Sequence, residues 1–238
     1  MHYIKIIKNL TPPLIFKAFK YLYDLNPKYF GLNQLDKILE SHINYDSGFF
    51  VELGANDGKS QSNTLYFEKY RKWTGILIEP TPNKFLECIK NRSAKSQIFC
   101  NACVSFEYKE KFVEILYSNL MTTPVGLESD IMDPIGHANN GKLFLKKNEV
   151  QFNFGASAIT LNEILIKSNA PSIIDLLSLD VEGAELEVLK GVDFNAYNFK
   201  NLCIETRDFN KINNFLKTLN YNFVEKLTHH DFLFKYKY

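Results

Sequence analysis

The chain has 238 residues, which suits one fairly large domain or one domain with an extension. Hydrophobic residues make up 45% of the chain and aromatic residues 14%, so a packed core is expected and a disordered chain is excluded. The 28 basic and 27 acidic residues nearly cancel, and this balance argues against a nucleic-acid partner.

Residues 1–48 are predicted to form an N-terminal helical extension. A Thr-Pro-Pro sequence at 11–13 starts a helix, and four apolar residues then share one helix face: Ile15, Ala18, Phe19 and Leu22. Packing of this face on the protein's own core is the favoured interpretation. A contact with a membrane, or with a partner subunit in a homo-oligomer formed through these helices, stays open.

The cysteines and the lack of long apolar runs predict a soluble, cytoplasmic protein. Cys100 and Cys103 form one C-x-x-C pair, but no second pair or nearby histidine completes a zinc site. The pair lies in a β-like run instead of at a helix N-terminus, so buried structural thiols are favoured over a redox role. No apolar run reaches the ~18 residues of a transmembrane segment.

From residue 49 onward, apolar strands alternate with amphipathic helices, which is typical of a parallel sheet with helices on both faces. A capping box at 160–163 (Thr-Leu-Asn-Glu) marks the start of one helix. A C-terminal hairpin, at 221–227 and 231–236, places an antiparallel strand in the sheet. The other five strands are predicted at residues 49–53, 75–79, 97–104, 173–180 and 201–205.

Residues 118–158 fit this alternation poorly, because they contain two prolines and four glycines among polar residues. A long segment of this kind in a compact domain is usually a lid or a binding loop. We therefore predict an irregular segment that faces the acceptor substrate.

A glycine loop follows the first predicted strand and reads Glu52-Leu53-Gly54-Ala55-Asn56-Asp57-Gly58. Glycine lets the backbone approach a ligand above the carboxyl end of a strand. Asn56 stands where a dinucleotide fingerprint needs its second glycine, so a nicotinamide or flavin site is not favoured. The Gly-Lys-Ser/Thr of a nucleotide-binding P-loop is also missing.

Glu79 ends the second predicted strand, 25 residues after Gly54. This is close to the spacing at which an acidic side chain accepts hydrogen bonds from ribose hydroxyls. Together, the glycine loop and Glu79 indicate a cofactor that has adenine and ribose but no pyrophosphate, of which S-adenosylmethionine is the common example. A plain tight turn and a solvated carboxylate are the alternatives.

Residues 49–80 (FFVELGANDGKSQSNTLYFEKYRKWTGILIEP) and 175–191 (DLLSLDVEGAELEVLKG) resemble the FkbM-type S-adenosylmethionine-dependent methyltransferase family. The Asp-Val-Glu-Gly-Ala-Glu-Leu block is the most specific part of the similarity. The resemblance implies that residues 49–238 form a class I methyltransferase domain, a Rossmann-like α/β fold with a doubly wound seven-stranded sheet and an antiparallel last strand. It also implies O-methylation, often of sugar hydroxyls.

The resemblance further implies a cofactor site above the carboxyl ends of the strands. Glu79 would hold the ribose, Ala102 and Cys103 would lie against the adenine, and Asp180 would face both the cofactor and the acceptor. The full set of expected cofactor contacts is Glu52, Gly54, Ala55, Asn56, Asp57, Ser62, Asn63, Glu79, Ala102, Cys103 and Asp180.

Methyl transfer to a hydroxyl requires in-line positioning and loss of the hydroxyl proton. Asp180 and Glu205 are expected at the ends of neighbouring strands, so their carboxylates could share a divalent ion, Mg²⁺ or Mn²⁺, that acidifies the acceptor. Otherwise one of these carboxylates, or His230 of the final hairpin, acts as the base. An exposed hairpin histidine is the alternative for His230. Further candidates are Glu182, Asp208, His137 and His229.

These observations predict an S-adenosylmethionine-dependent O-methyltransferase that acts on a sugar hydroxyl, of a nucleotide-activated sugar or of a capsule or lipopolysaccharide intermediate. Lys142, Lys146 and Lys147 could meet the phosphates of such a sugar, although a solvated basic face is favoured. A lipid, polyketide or peptide acceptor is one alternative. A non-catalytic S-adenosylmethionine-binding module of a glycan-assembly system is another.

Overall fold

The computed structural model describes residues 27–237, and the helix predicted after Pro13 lies outside them. Among the described residues, no helix is long and apolar enough to cross a lipid bilayer. The strands are β1 Phe49–Leu53, β2 Thr74–Ile78, β3 Gln97–Phe99, β4 Ala102–Val104, β5 Phe112–Tyr117, β6 Thr123–Val125, β7 Phe152–Thr160, β8 Ile173–Leu179, β9 Asn198–Glu205, β10 Tyr221–Lys226 and β11 Asp231–Tyr236. The α-helices are α1 Leu35–His42, α2 Leu65–Tyr70, α3 Pro82–Asn91, α4 Pro134–Asn140, α5 Leu161–Lys167, α6 Glu185–Leu189 and α7 Phe209–Lys217.

The main sheet is mixed and has seven strands, in the order β10-β11-β9-β8-β1-β2-β3. Strands β1, β2, β3, β8 and β9 pair in parallel. Strand β11 runs antiparallel to both of its neighbours, β9 and β10. With helices packed against this sheet, the fold is of the α/β class.

Strand β1 lies at the centre of the sheet, between β2 and β8. Leu53 is in register with Ile78 on one side and with Leu179 on the other. The three strands therefore end at the same level, and the loops that follow them meet at one edge of the sheet. In open α/β sheets, this point where the strand order reverses is the usual place for a ligand.

The central strands are apolar on both faces because helices cover both faces. Phe50 of β1 packs with residues of α1, α2 and α3, whereas its neighbour Val51 packs with residues of α5, α6 and α7. Helix α1 belongs to the predicted extension, and its Leu35 and Leu39 are part of the same core cluster as Phe50.

The capping box predicted for α5 is confirmed. Thr160 Oγ1 accepts a hydrogen bond from the Glu163 N–H at 3.1 Å, and the Glu163 carboxylate accepts one from the Thr160 N–H at 3.1 Å. This reciprocal pair fixes where β7 ends and α5 begins.

A second, four-stranded sheet in the order β4-β7-β5-β6 departs from the prediction. The single strand predicted over 97–104 is wrong, because the chain leaves the main sheet after Phe99 and then pairs Ala102–Val104 with β7. The apolar pattern continues across the break and so does not reveal the change of sheet. Asn101 marks the break, since its Nδ2 donates to Ser157 O at 3.2 Å.

Residues 118–158 contain more regular structure than predicted. They include β6, α4, the first part of β7 and two 3₁₀ turns, at Asn119–Met121 and Gly141–Phe144. Pro134 stands in the first turn of α4, where a missing N–H costs nothing, and the Asp133 carboxylate caps this helix by accepting from the Gly136 N–H at 2.9 Å. One of the prolines that indicated irregular chain therefore marks a helix start.

A buried ion-pair network fixes the loop between β1 and α2. The Arg92 side chain is fully buried and donates to Glu52 from Nη1 at 2.9 Å and to Glu68 from Nε at 3.2 Å. Glu52 also accepts from Ser62 Oγ at 3.0 Å and from Thr64 Oγ1 at 2.6 Å. Charges this deep are tolerated because they are paired and hydrogen-bonded. The network ties β1 to the start of α2 and to the end of α3.

The turn after β1 requires glycine at position 54. Gly54 has a φ of 77°, and a Cβ added to it would lie 1.8 Å from Asp180 O. The N–H groups of Gly54 and Ala55 both donate to Ile78 O, at 3.1 and 3.2 Å, and the Asp180 N–H donates to Leu53 O at 3.3 Å. These backbone contacts join the ends of β1, β2 and β8.

We expect Arg92→Gln to lower the free energy of unfolding by about 3 kcal/mol, because Glu52 and Glu68 would remain as buried, unpaired carboxylates. Denaturant unfolding measures this loss. Lys90→Gln, at an exposed position of α3, is the matched control and should change the value by less than about 0.5 kcal/mol. A similarly small change in both variants would show that the network does not stabilise the fold.

Gly54→Ala and Gly126→Ala separate the cost of a left-handed backbone from the cost of the close contact. Gly126 has a φ of 80°, and its added Cβ would meet nothing within 4 Å. We expect Gly126→Ala to lower the free energy of unfolding by only about 1–2 kcal/mol. Gly54→Ala should lower it by at least about 2 kcal/mol more, because the Asp180 backbone must move. Equal losses in denaturant unfolding would contradict a tight contact.

Candidate active site

A cleft opens at the edge of the sheet where β1, β2 and β8 end, and the second sheet closes its other side. The cleft encloses about 980 Å³, its solvent-open mouth included. The second sheet contributes Ile115 and Pro124 to the lining. Ten of the residues predicted to contact the cofactor line the cleft: Glu52, Gly54, Ala55, Asn56, Ser62, Asn63, Glu79, Ala102, Cys103 and Asp180.

Asp57 is the one predicted cofactor residue that lies outside the cleft lining. Its carboxylate accepts hydrogen bonds from the N–H groups of Lys59 and Ser60, at 2.9 and 2.6 Å, and therefore shapes the turn after the glycine loop. Glu52 lines the cleft, but both of its carboxylate oxygens already accept hydrogen bonds, from Arg92 and from the chain at 62–64. We interpret Glu52 as a residue that positions the loop.

Glu79 is almost fully buried and accepts one backbone hydrogen bond on each carboxylate oxygen. The donors are the N–H groups of Asn56 and Thr81, both at 2.8 Å. Burial raises the pKa of Glu79, while these donors act in the opposite direction. A carboxylate oxygen has two lone pairs, so each oxygen can still accept a hydrogen bond from a ligand hydroxyl.

Asn63 lines the cleft, and its amide Nδ2 donates to Ser178 Oγ at 3.1 Å. Its Oδ1 is shielded from solvent and has no hydrogen-bond partner among the described residues. This oxygen lies against Gly31, where an added Cβ would come within 2.9 Å of it. Asn63 therefore links the end of β8 with the chain that precedes α1.

Ala102 and Cys103 line the cleft from β4, which belongs to the second sheet. Cys103 is free and buried, and burial raises the pKa of its thiol. Cys100 is free and half-buried, and its pKa is raised in the same way. Raised pKa values disfavour the reactive thiolate, in agreement with structural thiols.

Asp180 and Glu205 stand at the ends of the neighbouring strands β8 and β9, close enough for the charge of Glu205 to act on Asp180. Burial, followed by the charge of Glu205, raises the pKa of Asp180 well above its usual range. Burial and the charges of Glu182 and Asp231 raise the pKa of Glu205. Like charges at neighbouring strand ends disfavour ionisation of both carboxyl groups at once. Asp180 lines the cleft, whereas Glu205 is not part of its lining.

The metal site predicted at Asp180 and Glu205 is not supported by the geometry of the described residues. Within residues 27–237, no group of three or more His, Cys, Asp or Glu side chains is arranged to hold a metal ion.

Glu182 connects the cleft with the segment 118–158. Its φ is 55°, an uncommon conformation for a residue other than glycine. Its carboxylate lies 2.7 Å from His137 Nε2 and 3.5 Å from Arg207 Nη2. Asp130 adds a second tie by accepting from Thr206 Oγ1 at 2.8 Å and from the Arg207 N–H at 2.6 Å. The segment is thus held against the ends of β8 and β9.

Glu185 is the third acid of the Asp-Val-Glu-Gly-Ala-Glu block and shapes the loop after β8. Its Oε1 accepts from the N–H groups of Val181 and Gly183, at 3.0 and 3.2 Å. Burial, and then the charge of Asp130, raises the pKa of Glu185 to about 8. Glu185 is not part of the cleft lining, so the block contributes two carboxyl groups to the cleft, those of Asp180 and Glu182.

Neither histidine of the final hairpin lines the cleft, so the geometry does not support His230, one of the predicted candidate bases. His230 Nε2 is 2.9 Å from His229 Nδ1. Burial and then the charge of Arg207 lower the pKa of His230. Asp208, another candidate base, caps α7 by accepting from the Lys211 N–H at 3.0 Å.

Sequence reasoning missed several residues that build the site. Asn119 lines the cleft and links Asn56, at 3.5 Å, with Glu149, at 2.6 Å. Arg92 and Arg207 hold the carboxylates around the cleft. The only available signal was the rarity of arginine, since the chain has just three. The remaining one, Arg71, is also in an ion-pair network.

The comparisons with known proteins identify the family of the chain. No curated protein matches the chain significantly. The profile of the methyltransferase FkbM domain matches residues 52–233, from Glu52 in β1 to Leu233 in β11. This match covers more than half of the chain and includes the glycine loop, Glu79 and the acidic block after β8. The chain therefore belongs to the FkbM methyltransferase family.

Proposed function

We propose that the protein is an S-adenosylmethionine-dependent O-methyltransferase of the class I type that modifies a sugar hydroxyl. The observation that carries the cofactor part is the buried Glu79 carboxylate, which lines the cleft at the point where the strand order reverses. The order and directions of the seven strands support the class I assignment.

The residues of the cleft fit S-adenosylmethionine, which supplies a methyl group activated on a sulfonium. Glu79 offers two oxygens to a ribose diol. The Asp180 carboxyl group offers an acceptor to an ammonium. Ala102 and Cys103 give the apolar wall that an adenine ring needs.

The Asp180–Glu205 pair is the proposed proton acceptor for the hydroxyl. Asp180 is the member that lines the cleft, and its raised pKa makes its ionised carboxylate a stronger base than an ordinary carboxylate. Glu182, held by His137 and Arg207, would orient the acceptor next to Asp180. A divalent ion, Mg²⁺ or Mn²⁺, between Asp180 and Glu205 is the alternative way to acidify the hydroxyl.

A sugar acceptor is supported by the mixed lining of the outer cleft. Asn119 and Thr122 provide polar groups, and Leu120, Pro124 and Leu127 provide apolar contacts for the faces of a ring. The sugar would belong to a nucleotide-activated precursor or to a capsule or lipopolysaccharide intermediate. A lipid, polyketide or peptide acceptor, and a module that binds the cofactor without catalysis, are the competing proposals.

We further propose that the methyltransferase domain comprises residues 49–238 and acts in the cytoplasm on a small or glycan acceptor and not on nucleic acid. Residues 1–48 would be an extension, available for a homo-oligomer. The described part of this extension packs on the core through Leu35 and Leu39.

S-adenosylhomocysteine should bind the wild-type protein, and Glu79→Ala should raise its Kd by at least about tenfold, because two hydrogen bonds to a charged acceptor are lost. Isothermal titration calorimetry measures both. Glu110→Ala, at an exposed position away from the cleft, is the control and should bind like wild type. The cofactor proposal fails if wild type does not bind or if Glu79→Ala binds equally well.

Asp180→Asn should lower methyl transfer by at least about a hundredfold, because the shared proton acceptor is lost. A panel of nucleotide sugars and glycan intermediates, read by mass spectrometry, identifies the acceptor. In the wild type, the rate should fall as the pH drops through the raised pKa of the pair, at higher pH than for an ordinary carboxyl group.

The same assay separates the two ways of acidifying the hydroxyl. Activity that is unchanged by EDTA assigns proton removal to the carboxyl pair alone, whereas loss with EDTA and recovery with Mg²⁺ or Mn²⁺ assigns a metal ion. Cofactor binding without transfer to any acceptor of the panel would favour the non-catalytic module.

A further inference from the structure

A short apolar turn flanked by lysines projects from the segment 118–158. We call residues 141–147 the lid turn; it begins with the 3₁₀ turn Gly141–Phe144, directly after α4. Its Leu143 is 88% exposed and its Phe144 is 46% exposed. Just before α4 the Met132 side chain is fully exposed, and Ile135 in its first turn is half exposed. Large apolar side chains exposed together mark an interaction surface more often than singly exposed ones do.

The base of the lid turn is firmly packed, so the exposure of its tip belongs to the folded structure. A Cβ added to Gly141 would lie 2.7 Å from Met121 Cβ and 2.8 Å from Ser118 Oγ. The Leu145 N–H donates to Lys142 O at 3.2 Å, and the Lys146 N–H donates to the Glu149 carboxylate at 2.9 Å. The tip is therefore presented on a fixed support.

The charge around the tip is positive. Lys142, Lys146 and Lys147 are exposed within the lid turn, and the turn contains no acidic residue. Lys146 Nζ forms an ion pair with Glu87 of α3 at 3.5 Å. This pair is exposed, so water screens the attraction between its charges. None of the three lysines lines the cleft, so the sequence-based idea that they meet phosphates of a substrate there has no support in their position.

We propose that the lid turn docks the protein on a membrane surface that carries anionic lipids. Leu143 and Phe144 would enter the head-group region, while the lysines stay at the level of the lipid phosphates and keep their charged ends in water. A second copy of the chain fits this surface less well, because a two-fold contact would bring the two sets of lysines together. An apolar tip is likewise unsuited to nucleic acid.

Docking through the lid turn would bring the cleft close to the lipid surface. The lid turn packs through Gly141 on Met121, and the same 119–121 turn contributes Asn119 and Leu120 to the cleft. The proposal does not depend on the identity of the acceptor or on methyl transfer, so its test can fail or succeed independently of the proposed function.

The test measures binding of the full chain to vesicles of phosphatidylcholine alone and of phosphatidylcholine with phosphatidylglycerol, by sedimentation at low and high salt. We expect binding to the anionic vesicles that weakens as salt is added. The double variant Leu143→Ser/Phe144→Ser should bind at least about tenfold more weakly. The triple variant Lys142→Gln/Lys146→Gln/Lys147→Gln should lose the preference for anionic vesicles.

The matched control is Phe106→Ser/Ile166→Ser, which removes two exposed apolar side chains from other parts of the surface. It should bind like wild type, and circular dichroism should show that all variants are folded. The proposal is overturned if wild type binds neither vesicle, or if Leu143→Ser/Phe144→Ser binds as well as wild type. It is also overturned if the control loses binding equally, or if size-exclusion chromatography reveals a dimer that only Leu143→Ser/Phe144→Ser dissociates.

Discussion

The buried ion pair between Glu52 and Arg92 is the interaction on which the geometry of the cleft depends. Glu52 lies in the central strand, and its charge would be costly there without the guanidinium and the hydroxyl groups around it. In return, the carboxylate orders the chain from Ser62 to Thr64, which includes Asn63 of the cleft lining. At the ends of β8 and β9, Arg207 forms comparable ion pairs with Glu182 and Glu205. These ion pairs therefore hold in place the loops whose residues line the cleft.

Much of the main sheet could be predicted from the sequence, because its central strands are buried on both faces and appear as continuous apolar runs. The second sheet could not. Strand β7 contains Gly155 and is largely exposed along its length, which leaves a weak strand signal. Strand β4 follows β3 within one apolar run, and only the pairing with β7 assigns the two to different sheets. Such long-range pairing is not encoded in local periodicity.

The candidate site was predictable where a residue stands at a fixed distance from a strand end, and less so where it depends on contacts between distant segments. Gly54 and Glu79 are of the first kind. A side chain at position 54 would collide with the Asp180 backbone, and the Glu79 carboxylate accepts a hydrogen bond from the Asn56 N–H in the loop after β1. His230 is of the second kind: the hairpin was expected near the acceptor, yet the ring packs on His229. Arg92 left no local signal, since its partners are 24 to 40 residues away in the chain.

The close contact between Gly54 and Asp180 has a consequence for how such an enzyme can change its specificity. The loop that would hold the cofactor and the carboxyl group that would face the acceptor touch through their backbones. A change in one of these loops therefore displaces the other, so neither can vary freely. The segment 118–158 meets the loop after β8 through side chains, such as His137 with Glu182, and through one backbone hydrogen bond, from the Asp130 N–H to Gly183 O. New acceptors are thus more readily accommodated by substitutions in this segment, with the two strand-end loops left intact.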